Sequence, residues 1–69
     1  MGENLIEAIQ SRCNELREIN IPAYQEIGPA GAFGVIMMKV ATAKAEKAIA
    51  FGDTVGMVSS LQELREFKL

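Results

Sequence analysis

Apolar residues recur at helical spacing along almost the whole chain. Ile6, Ile9, Cys13 and Leu16 stand three, four and three residues apart, the spacing of one helix face, and Leu5 and Ile19 widen the stripe. Glu7, Gln10, Asn14, Glu15, Arg17 and Glu18 fill the positions expected to face water, with Arg12 at the edge. The pattern predicts a first helix from about Glu3 to Ile19. It should end there because the residue ahead of Pro22 is pushed away from the α conformation. Residues 23–27 have room for one further helical turn, with Tyr24 and Ile27 as an apolar lid closed by Gly28.

A second helix is predicted from about residue 30 to 51, opened by the run Gly28-Pro29-Ala30-Gly31-Ala32-Phe33-Gly34. Pro29 suits a first helical position because its φ is already set and its missing N–H is not needed there. Two glycines in the following turns each cost about 0.5–1 kcal/mol relative to Ala, so something is expected to approach the backbone closely. Further along, Gly34, Ala41, Ala45 and Ala48 fall within an arc of roughly 60° at 100° per residue, a small-residue groove that invites close helix packing. Met37 and Met38 border the groove, Ile49 extends it, and Val40 and Phe51 lie around its other edge. Lys39, Thr42, Lys44, Glu46 and Lys47 are expected on the opposite, solvated arc.

Gly52-Asp53 is the clearest local signal: glycine is favoured just past a helix end and Asp caps the next one. A third helix follows from about residue 53 to 67, burying Met57, Val58, Leu61 and Leu64, exposing Ser59, Gln62, Glu63 and Arg65, and coming close to a neighbour at Gly56. The short link makes helices two and three an antiparallel hairpin. The predicted fold is all-α: one domain over residues 1–69, made of three helices with a Pro/Gly linker after the first.

A chain of 69 residues, 49% of them hydrophobic, folds but builds a small core, which rarely supplies more than about 3–5 kcal/mol. One cysteine and no histidine exclude both an internal disulfide and a Cys/His zinc site, leaving oligomerisation as the expected staple. A homodimeric helical bundle is therefore expected, with the first helix's seam or the alanine groove meeting its copy. The net charge of −2 argues against a nucleic-acid footprint. No run approaches a membrane span and no basic signal region is present, so the expected compartment is the cytoplasm.

The residues with potential chemistry have simpler readings. Gly28, Gly31 and Gly34 at a helix start could hold a phosphate, but no strand precedes them and no Gly-Lys-Ser/Thr ending follows. Cys13 lies on an apolar seam without a histidine to activate it. Met37, Met38 and Met57 could form an adaptable surface but have core spacing. The carboxylates Glu7, Glu15, Glu18, Glu26, Glu46, Glu63 and Glu66 form no apolar-flanked pair of the kind that tunes a general acid. No catalytic, cofactor or metal residues are predicted, and the chain is expected not to be an enzyme.

The runs Glu26 to Gly34 (EIGPAGAFG) and Lys44 to Asp53 (KAEKAIAFGD), with Leu61-Gln62-Glu63-Leu64, resemble small uncharacterised helical proteins of temperate phages and prophages, of the lambdoid early-region type. The resemblance covers the C-terminal two thirds and implies an accessory protein that binds a host or phage regulator. It carries no site residue across. The expected function is thus protein–protein interaction. The competing expectation is a small nucleic-acid-associated regulator, in which Lys39, Lys44 and Lys47 line one positive face.

Overall fold

The computed structural model describes residues 4–68. Its first helix begins at Leu5, because Asn4 is extended and its side-chain oxygen accepts the Glu7 N–H at 2.8 Å. This satisfies one of the donors that a helix start leaves unpaired. The expected start at Glu3 lies outside the described residues. The helix is α-helical over Leu5–Glu15 (α1), a π turn over Leu16–Asn20, and α-helical again over Ile21–Glu26 (α2).

The expected stop before Pro22 is not observed. Asn20 and Ile21 are both right-handed helical, and the Ile21 N–H bonds to Leu16 O, five residues back. Changing from four-residue to five-residue spacing lets Pro22 enter as a residue of a new first turn, where its missing N–H breaks no bond. The wider turn also shifts the buried positions. The residue four places beyond Leu16, Asn20, points inward and is buried, whereas Ile19 is exposed. Ile6 is likewise exposed, so the seam expected for the first helix reduces to Ile9, Cys13 and Leu16.

The two halves of this first rod serve different neighbours: α1 packs chiefly on α4 (Thr54–Glu66), and α2 on α3 (Pro29–Ala50). The close approach predicted at the glycines is made by Tyr24. A Cβ at Gly31 would overlap the Tyr24 carbonyl, and one at Gly34 would lie 2.5 Å from the ring carbon Cδ2. Gly28, with φ of 76°, reverses the chain between α2 and α3.

Helices α3 and α4 form the expected hairpin. Gly52, at φ 65°, donates to Ile49 O at 3.1 Å, and Asp53 N–H donates to Ala48 O at 2.9 Å, a Schellman motif that satisfies carbonyls at the end of α3. Asp53 then caps α4 through Gly56 N–H at 3.0 Å. A Cβ at Gly56 would overlap that capping carboxylate and sit 3.4 Å from Ala48 Cβ. Ala41, Ala45 and Ala48 are buried, as the groove predicted, together with Val35 and Met38. Thr42 is a correction. It is buried, not solvated, because it continues the Val35–Met38 line toward Ala45, and its hydroxyl donates to Lys39 O at 3.0 Å, so it enters the core without an unpaired donor. Val58, expected in the core, is half exposed, and Ser60 takes an inward place instead.

The far end of the chain is held by side chains of the first rod. Arg12 donates through Nε to Leu64 O at 3.0 Å and also to Phe67 O, while its guanidinium pairs with Glu15. Tyr24 Oη donates to Lys68 O at 2.8 Å. A cation on the last carbonyls of α4 complements both the unsatisfied acceptors and the negative helix end. All described elements are helical; no strand occurs among the described residues.

Two stability measurements check this packing. Gly31→Ala should cost about 2–3 kcal/mol in urea denaturation, since the Tyr24 backbone cannot step aside. Gly34→Ala should lie within about 1 kcal/mol of neutral, because a swinging Tyr24 ring and the better helix propensity of Ala offset each other. Ala45→Leu, at a fully buried position, should cost about 1–3 kcal/mol by prising α3 from its neighbours. Glu46→Gln should leave the denaturation midpoint in place.

Candidate interaction surface

The internal packing uses one side of α3 and leaves the other bare. Phe33 is 73% exposed, Ile36 58%, Met37 42% and Val40 56%. These four stand at i, i+3, i+4 and i+7, so they line a single helical stripe. Between Pro29 and Ala43 the exposed residues of α3 are Pro29, Ala30, Ala32, Phe33, Ile36, Met37, Lys39, Val40 and Ala43, with Lys39 the single charge. Ile27, in the turn before α3, is 60% exposed and extends the apolar area. Beside the stripe, Gln25, Gly28, Pro29, Ala32, Val35 and Ile36 line a shallow depression of about 370 Å³. The sequence reading did not single out Phe33 or Ile36, and it placed Met37 and Val40 only at the edges of the alanine groove. The available signal was that both sides of the first half of α3 are apolar, so one side alone cannot account for them all.

The two surfaces expected to form a dimer are consumed inside the chain. Ile9, Cys13 and Leu16 are buried, and Ala41, Ala45 and Ala48 are covered where α3 meets its neighbours. Of the methionines considered for an adaptable surface, Met38 and Met57 are core and only Met37 reaches solvent.

The three lysines of the nucleic-acid reading are divided. Lys44 and Lys47 share a small pocket of about 200 Å³ with Phe51, Asp53 and Ser60, of which Lys39 is no part. Lys44 pairs with Glu63 at 3.0 Å, and Lys47 Nζ lies 5.9 Å from the centre of the Phe51 ring. Lys44 is thus opposed by a carboxylate, and Asp53 lines the pocket it shares with Lys47, so these two do not form with Lys39 the single positive face that phosphate binding would use.

Of the glycine run, two members turn toward protein, while Gly28 lies in open space at the chain reversal. Gly31 and Gly34 face Tyr24, so the carbonyl and ring of α2 occupy the room a ligand would require.

Cys13 lies at the bottom of a cleft of about 430 Å³ where α1 and α3 stand apart, between Ile9 and Ile49, with the Arg17–Glu46 ion pair across the opening. Burial pushes its thiol above the ordinary value of 9.0; Arg17 works against this and Glu46 with it. A thiol held protonated is a poor nucleophile, which fits a packing role. No group of His, Cys, Asp and Glu able to hold a metal ion occurs among the described residues, and no helix there is long and apolar enough to cross a membrane.

No family model, curated protein or solved structure matches this chain.

The state of Cys13 sets a pH dependence. The folded chain retains the thiol proton at pH values where the unfolded chain, from about 9 upward, releases it. This contribution to stability is therefore complete below pH 9 and is lost as pH rises through the raised folded value. In urea titrations between about pH 8 and 10.5, the wild-type midpoint should fall more steeply than that of Cys13→Ser, which cannot titrate.

Proposed function

We propose that this chain is a non-enzymatic protein–protein interaction module that works through the outward face of α3. The observation that carries this reading is the stripe of Phe33, Ile36, Met37 and Val40, exposed on a helix segment with one charge among its nine solvent-facing residues. A helix apolar on both sides is a helix that becomes buried on both. Contiguous exposed apolar area beyond a few hundred Å² marks an interaction site on a folded domain. The internal face of α3 is already committed to Tyr24, to the core of the first rod and to α4, so the outward face is free for a partner.

The buried Cys13 thiol, held protonated by its surroundings, and the Lys44–Glu63 pair support binding over chemistry. The resemblance to small phage and prophage proteins adds the class of partner: a host or phage regulator in the cytoplasm, recognised by an apolar helix face. Such a protein acts by occupying a surface of its target.

The test is capture from a host extract by the full chain, cross-linked and identified by mass spectrometry. A partner retained by the wild type and by Glu66→Gln, and lost at least about tenfold with Ile36→Asp, is the expected result. Capture unaffected by Ile36→Asp would move the binding surface elsewhere.

A further inference from the structure

We infer that the cavity between the π turn of the first rod and the end of α4 binds a small organic carboxylate with an apolar tail. This site is separate from the outward face of α3 and does not rest on the reading of that face.

The cavity has a volume of about 580 Å³, and Asn20 is part of its lining; small-molecule sites have this size. Asn20 is 3% exposed. Its side chain caps no helix and has no hydrogen-bond partner among the described residues. Among the buried side chains described, Ser60 Oγ is the polar atom both sealed from solvent and unpartnered, so the little exposure the Asn20 amide retains opens on the cavity. An amide withdrawn from bulk water and left unpaired opposes folding. The register that admits Pro22 nevertheless turns Asn20 inward and Ile19 outward. An aliphatic side chain at position 20 would pack without that cost, so the amide points to a partner from outside the chain.

Charge sets the sign of that partner. On a chain of net charge −2, this cavity is lined by Arg12, Arg65 and Lys68 against one carboxylate, Glu15. Glu15 pairs with Arg12, which also holds the Leu64 and Phe67 carbonyls. Arg12 thereby covers the negative end of α4, which would otherwise repel an anion. Arg65 and Lys68 make no ion pair among the described residues. The planar fork of Arg65 matches the two oxygens of a carboxylate.

The walls favour a carboxylate over a phosphate. Phosphates are commonly cradled by backbone N–H groups at a helix start, whereas the cavity lies at the end of α4, where carbonyls are presented. Ile19, half exposed, and Phe67 give it apolar wall. A monoanion with a tail of about six to eight carbons suits such a space: its head takes the Arg65 guanidinium and the Asn20 amide N–H, and its tail covers Ile19 and Phe67.

Titration of the isotope-labelled full chain with sodium octanoate, followed by backbone and side-chain NMR shifts, tests this. The expected result is saturation, with the Asn20 Nδ2 and Arg65 Nε protons among those that move most. Arg65→Gln and Asn20→Leu should each raise the Kd at least about fivefold, with circular dichroism confirming that both variants keep their helices. Arg65 is exposed, so its substitution tests the site even if Asn20→Leu impairs folding. Octanol and inorganic phosphate should each bind at least about tenfold more weakly than octanoate. No saturation up to about 20 mM octanoate, or shifts confined to the outward face of α3, overturns the site, as does an affinity unchanged by Arg65→Gln. Octanol binding as tightly as octanoate overturns the role of charge, and phosphate doing so overturns the role of the apolar tail.

Discussion

The fold depends on how closely Tyr24 lies against α3. Its backbone carbonyl occupies the space above Gly31, its ring lies over Gly34, and its hydroxyl reaches the Lys68 carbonyl at 2.8 Å. One residue thus joins the carboxyl half of the first rod, the amino half of α3 and the end of the chain. A larger residue at 31, against the Tyr24 backbone, would hold the rods apart, and a chain with so few core residues has little other burial to draw on. The glycines weaken α3 locally and gain that contact in return. Arg12 does the corresponding work on α1, holding the Leu64 and Phe67 carbonyls, so both halves of the first rod secure the far end.

The π turn at Leu16–Asn20 makes this double attachment possible. A straight α-helix through residue 26 would meet Pro22 in its interior, losing a hydrogen bond and crowding a carbonyl. The change of spacing admits the proline at the start of α2, and on its two sides the rod takes different neighbours, α4 and then α3. The same shift buries Asn20 and exposes Ile19. What resembles a helix end in local chemistry is a change of hydrogen-bond register within one continuous rod.

The outward face of α3 is a consequence of this economy. With α2 crossing its first half and α4 running beside it, α3 can bury one side only, and the small residues Gly31, Ala41, Ala45 and Ala48 are on that side. The larger Phe33, Ile36, Met37 and Val40 remain outside. Val35 and Met38 are the larger apolar residues on the inner side, and leaving four more outside forgoes burial that an isolated small domain would gain by covering them. The arrangement suits a helix that serves as spacer within the chain and as contact surface beyond it.

The sequence by itself determined the helical class, the Gly52-Asp53 reversal, the alanine groove and the need for a close neighbour at Gly31 and Gly34. Each of these follows from local chemistry: periodic apolar residues, a cap, a positive-φ glycine, a missing Cβ. The tertiary structure alone decided which neighbour fills the glycine gap, how the chain passes Pro22, that Thr42 and Asn20 are buried, and that Phe33 and Ile36 are not. Periodicity shows that a helix has apolar residues on several sides but not which side its own chain will cover, because that choice is made by the packing of every helix at once. The surface on which a partner would act is what remains after that packing, so it becomes visible only when the three rods are in place.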